Sequence, residues 1–162
     1  MSNQLLVKMV LDAWNAKLKE TDALLTALTD EQLQNEVAPG RNRGIYLLGH
    51  LTAVNDKMLP LLNLGAQMHP ELNNTFLKEA DKAVADIPSA NELRNFWGEI
   101  NSSLATHFNN MNADDWFQQH TSVSAEDFSK EPNRNKLNII ISRTNHLAYH
   151  LGQMALLKKN SD

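Results

Sequence analysis

Three histidines carry the most pointed chemistry this sequence offers. His146 and His150 stand one helical turn apart in NHLAYHLGQ, and His50 lies far upstream in GIYLLGHLTAVND. Each helical residue advances about 100°, so His150 falls about 40° and Arg143 about 60° from His146, on the face that also carries Ile139, Met154 and Leu157. His50 repeats the arrangement among Leu47, Leu51, Val54, Met58 and Leu61. A lone histidine on a core face is ordinarily a core residue with its ring nitrogens satisfied, and HxxxH spacing also serves surface roles. Neutral imidazole is equally the commonest protein ligand for a divalent metal, and side chains four apart on a helix can aim two nitrogens at one ion. Three imidazoles on two core faces therefore offer a metal site, with satisfied core histidines as the alternative.

Neighbouring polar residues carry weaker readings. Gln153, at about −20° from His146, can hydrogen-bond a ligand or a bound water, although a polar residue at a helix interface is the plainer expectation. Arg143 can anchor an anionic substrate or pair with an acidic side chain, and the sequence does not choose. Tyr149 is a possible proton donor whose angle turns it away from the histidines, which favours packing. His107 lies on the core stripe of its helix as a reserve fourth ligand or a satisfied core residue. His69 in MHPE and His120 in QQHTS fall in expected loops with solvated roles.

The elements that must position these side chains are helical. Apolar residues recur at helical spacing from about Asn3 to Leu28, with Leu6, Met9, Ala13, Trp14, Leu18, Thr21, Leu25 and Leu28 on one stripe. A second helix follows Pro39-Gly40, capped by Asn42, with Asp56, Thr52 and Gly49 expected on its solvent face and Pro60 expected to bend or end it. The third begins after Pro88-Ser89, where Glu92 completes a capping-box pattern, and buries Leu93, Trp97, Ile100, Leu104 and Met111. The fourth runs from near Asn135 to Lys159. A short extra helix is expected around Phe76 to Val84. Asn112 to Arg134, with Trp116, Phe117 and Phe128, reads as an ordered loop. The Pro-Gly-Arg-Asn and Pro-Asn-Arg-Asn runs before the second and fourth helices suggest shared capping chemistry. Nothing alternates with a period of two for long, so an all-α bundle is the economical architecture.

Composition narrows the function. A chain of 162 residues is the size of one domain, spanning 1–162. Its 15 basic and 19 acidic residues give a net charge of −4, which supplies no basic footprint for nucleic acid and no polybasic membrane patch. There is no cysteine, so disulfides, thiolate metal sites and cysteine nucleophiles drop out, and a metal must be held by His or carboxylate. No basic leader with an apolar block opens the chain and no run approaches the ~18 apolar residues of a membrane span, so a soluble, cytoplasmic protein is expected.

At the histidine-bearing stretches the sequence resembles the DinB-like superfamily, the DinB/YfiT-like metalloenzymes. The resemblance rests on Pro39-Gly40 followed by a helix bearing His50, then RTNHLAYHLGQM with His146, His150, Gly152 and Gln153. It covers nearly the whole chain in element order. It implies a four-helix bundle with a crossover connection, a homodimer, and a divalent metal held by His50, His146 and His150. Some relatives are similar to thiol-dependent S-transferases, including bacillithiol transferases and mycothiol-dependent maleylpyruvate isomerases.

Three neutral imidazoles would leave an ion charged and open at one position, as catalytic sites require. Imidazole suits Zn, Ni, Cu and Fe, and zinc or nickel is the expectation. Such an ion lowers the pKa of a bound water to about 7 and deprotonates a thiol more easily still. The expected function is a metal-dependent transferase acting on a small-molecule substrate with a low-molecular-weight thiol, whose sulfur must come from outside this cysteine-free chain. A metal-dependent hydrolase and a non-catalytic, stress-associated metal-binding protein are the alternatives. A zincin would need Glu where Leu147 stands, and a ferritin-like di-iron centre would need Glu-x-x-His, which is absent.

Overall fold

The computed structural model describes residues 2–161. It is all-α, with no β-strand among the described residues. Its α-helices are α1 (Asn3–Ala27), α2 (Asp30–Gln34), α3 (Gly44–Asp56), α4 (Met58–Leu61), α5 (Ala90–Asn110), α6 (Ala125–Lys130) and α7 (Lys136–Met154). A π-helical turn covers Asn74–Lys78, and 3-10 segments cover Ala113–Phe117 and Ala155–Ser161. No helix among the described residues is long and apolar enough to cross a membrane.

Local chemistry explains most of the boundaries. Ser2 caps α1 through its hydroxyl, and Leu28 follows the last turn as predicted. Ser89 and Glu92 form the expected capping box at the start of α5, with Ser89 N–H donating to Glu92 Oε2 at 2.9 Å and Glu92 N–H to Ser89 Oγ at 3.3 Å. Asn135 caps α7, accepting from Asn138 N–H at 3.0 Å. The equivalent role for Asn42 does not hold. The residue preceding α3 is Arg43, which makes no side-chain cap and turns instead to Asp81. The two Pro-x-Arg-Asn runs therefore do not share a capping device. Gly40 turns the chain with φ +73°, a conformation that suits a residue without Cβ.

The second predicted helix breaks at Lys57, three residues before Pro60, and resumes as α4. Proline has no N–H to donate to the carbonyl four residues back, and its ring crowds that carbonyl; here the affected carbonyl is that of Asp56, the last residue of α3. Between α1 and α3 lies α2, which the sequence reading leaves out; Thr29 and Gln32 close a capping box there. The extra helix expected over Phe76–Val84 is the earlier and shorter turn Asn74–Lys78. The loop Asn112–Arg134 contains a 3-10 turn and α6, and the 3-10 turn buries Trp116. The fourth predicted helix is α7 followed by the 3-10 segment.

In packing, α1 lies along α7, α3 lies along α5, and α3 also touches α7. Leu93, Trp97, Ile100 and Leu104 of α5 are buried as predicted, whereas Met111 is half-buried. On α1 the buried side is Val7, Trp14, Thr21, Leu24 and Leu25, while the predicted stripe members Leu6 and Met9 are exposed.

The largest correction concerns α3. Its predicted solvent face is buried: Thr52 and Asp56 are fully enclosed, and Gly49 lies so close to Phe76 that a Cβ would overlap ring atoms Cδ1, Cε1 and Cζ. The segment from Gln67 to Phe76 folds over this face. Asp56 accepts from Met68 N–H at 2.8 Å, His69 N–H at 2.9 Å and Gln67 Nε2 at 3.2 Å. A carboxylate can be buried there because three N–H groups replace its water.

Candidate metal centre

The fold brings His50 of α3 against His146 and His150 of α7, and all three are half-buried. His50 Nε2 lies 3.1 Å from His146 Nε2, and His150 Nε2 lies 3.1 Å from the same atom. One ligand atom from each ring falls within 4.8 Å of the others, the single group of this kind among the described residues.

The outer nitrogens fix the tautomers. His50 Nδ1 is 2.8 Å from the Phe76 carbonyl, which can only accept, so the proton sits on Nδ1 and the Nε2 lone pair points inward. His150 Nδ1 donates to Gln153 Oε1 at 2.7 Å, and Gln153 Nε2 in turn donates to the Tyr149 hydroxyl at 3.3 Å. His150 therefore also presents a lone pair at Nε2. These are the oriented imidazoles that metal-binding histidines require, each held by a carbonyl acceptor on its far side. His146 has at most one Nε2 proton to share between two facing acceptors, so the triad cannot be fully satisfied by its own hydrogen bonds. A divalent cation satisfies all three at once, and the cluster can coordinate one.

The electrostatics agree with neutral ligands. Burial, then the neighbouring His150 and His50 and the Arg143 guanidinium, hold the His146 pKa down to about 4 from its ordinary 6.5. Burial also lowers His150, partly offset by its bond to Gln153, with His50 lowering it further. Neutral imidazole is the form that binds metal.

Phe76 links fold to site. Its ring fills the space left by Gly49, and its carbonyl orients His50; Tyr46 packs against it and donates its hydroxyl proton to Glu79 O at 2.8 Å. None of this was legible in the sequence, where Phe76 reads only as part of a short helix.

Gln153 is half-buried, and its Oε1 accepts from His150 Nδ1. Tyr149 is 64% exposed, so it is not packed away, and its ring meets His150 edge-on at 5.1 Å. Arg143 meets no acidic group: no hydrogen bond or ion pair reaches its guanidinium among the described residues, and its Nε is buried without a partner. His107 is half-buried on α5 and lies outside the histidine cluster. His69 is not a solvated loop residue; it stacks on Phe96 at 3.9 Å and contacts Glu71 at 2.9 Å. His120 is half-buried and accepts from Ser122 N–H at 3.2 Å.

No curated protein matches this chain significantly in sequence. The family model described as the DinB superfamily matches residues 13–154, a span that contains all three histidines together with Phe76 and Gln153. The chain belongs to the DinB superfamily.

Proposed function

We propose that the protein is a metal-dependent enzyme in which His50, His146 and His150 hold one divalent ion, zinc or nickel. The reaction is transfer of a low-molecular-weight thiol to a small-molecule substrate. The observation that carries this reading is the convergence of three Nε2 atoms, two of them locked as acceptors by Phe76 O and Gln153 Oε1. A divalent cation supplies Lewis acidity at that point, lowering the pKa of a thiol or water that it binds. The protein's part is to keep the rings neutral, orient them and shield one side. Burial and the two carbonyl acceptors do this. Transfer is favoured over hydrolysis because, among the described residues, no carboxylate joins the histidine cluster to act as a general base, and Asp56 is occupied by three N–H donors.

The same reading takes the long helices α1, α3, α5 and α7 as a four-helix bundle with a crossover connection, in a cytoplasmic homodimer. Metal analysis of protein purified without a tag tests the centre, and a thiol-conjugation screen against electrophiles tests the reaction. One ion per chain and thiol consumption that stops on chelation are expected. A chain that binds metal and melts lower on chelation, yet consumes no thiol, would be a metal-stabilised binding protein.

A further inference from the structure

Arg143 lies three residues before His146 on α7, about 5 Å back along the helix axis. It lines a cavity of about 310 Å³ with Lys57, Pro60, Leu61, Thr121 and Ser122. Lys57 follows α3 seven residues after His50, on the same angular face and about 10 Å along that axis. None of the three histidines lines the cavity, but Arg143 stands on the helix that carries two of them, and its charge is felt at His146.

Two features set it apart on a chain of net charge −4. Its lining holds two cationic side chains and no acidic one. Arg43, Arg94 and Arg134 each meet a carboxylate, at Asp81, Asp30 and Glu131, and Arg41 is exposed to solvent; among the described residues Arg143 meets no carboxylate, and it alone keeps its Nε buried without an acceptor. Leaving a buried guanidinium N–H unmade is costly, and such a group is ordinarily matched by an acceptor. The terminal amino groups of Arg143 are not sealed in as Nε is, and their planar donor pair matches the paired oxygens of a carboxylate or phosphate. Thr121 does not provide the missing acceptor to Arg143; its hydroxyl is turned to the Pro60 carbonyl at 3.1 Å.

We infer that this cavity is an anion subsite in which Arg143, assisted by Lys57, binds the carboxylate or phosphate of the substrate. The inference rests on the metal-centre reading for what happens at the other end of that molecule. The substrate class is then a small molecule that carries a carboxylate or phosphate in addition to its reactive group.

The test is a titration of the zinc-loaded protein with inorganic phosphate and, separately, acetate, followed by calorimetry and by the Arg143 Nε–H nuclear magnetic resonance signal. Wild type, Arg143→Met and Lys57→Met are compared. Expected is a saturable shift of the Arg143 signal, with affinity for at least one anion about tenfold or more weaker in Arg143→Met and weaker in Lys57→Met. The arm that binds more tightly identifies phosphate or carboxylate as the natural group. An unmoved Arg143 signal with both anions, or equal affinity in Arg143→Met, overturns the subsite. If Arg143→Met fails to fold, the wild-type signal decides by itself. Zinc uptake without an Arg143 response leaves the metal centre standing and removes the subsite. An Arg143 response in a chain that takes up no metal does the reverse.

Discussion

The Nε2 atoms of His50 and His146 lie 3.1 Å apart although 96 residues separate them in the chain. Because the Nδ1 of His50 donates to Phe76 O, its facing nitrogen is an acceptor. His150 brings a second acceptor to the same atom from one turn along α7. This arrangement is poor as a self-contained hydrogen-bond network and good as a ligand set, and the ligand set gives the first prediction. His50→Ala, His146→Ala and His150→Ala should each weaken zinc or nickel binding by about 100-fold or more, while far-ultraviolet circular dichroism stays helical. In wild type, saturating metal at ~100 times its Kd should raise stability by about 3 kcal/mol, and each variant should lose that increment. A His150→Ala protein that retains wild-type affinity would remove the centre.

Gln153 would act on a bound ion only through His150, whose Nδ1 donates to its Oε1. Gln153→Ala frees the His150 ring to rotate and to change tautomer, so metal affinity should fall by about 10- to 100-fold with little change in melting temperature after chelation. Calorimetric zinc titration separates this from general destabilisation, which would move both quantities together.

Gly49→Ala tests the coupling of fold to site. The added methyl overlaps the Phe76 ring, which must move, at a cost of about 1–3 kcal/mol. Displacing Phe76 also moves the carbonyl that orients His50. Urea unfolding should show the stability loss, and metal affinity should fall in the same variant. Intact metal affinity would mean that the ring yields without its backbone.

The pH dependence follows from His146. In chelator-treated protein its pKa is held to about 4, by burial first and then by His150, His50 and Arg143, against an ordinary 6.5. As the pH drops between those values, the unfolded chain takes up a proton that the folded chain refuses. Stability is therefore complete above about pH 6.5 and declines towards pH 4, by on the order of 1–3 kcal/mol from this residue. The lowered His150 acts in the same direction. Urea melts at about pH 7.5 and pH 5 measure the difference, and His146→Leu should reduce it. An unchanged difference in that variant would place the titrating group elsewhere.

By itself the sequence determined the helical character, several ends and the faces of the histidines, because these depend on residues within a turn or two of one another. The Ser89–Glu92 box, the Asn135 cap and the placement of His50, His146 and His150 on apolar stripes are of this kind. Tertiary structure decided what covers each face. Thr52, Asp56 and Gly49 read as a solvent face because α3 alone cannot show that Gln67–Phe76 will fold over it and donate three N–H groups to a carboxylate. The same long-range packing chose Phe76 O for His50, left Arg143 Nε buried without a partner among the described residues, and set Tyr149 in solvent. Helical periodicity is a local property of the chain, whereas hydrogen-bond satisfaction in a packed interior depends on partners brought together from distant parts of it.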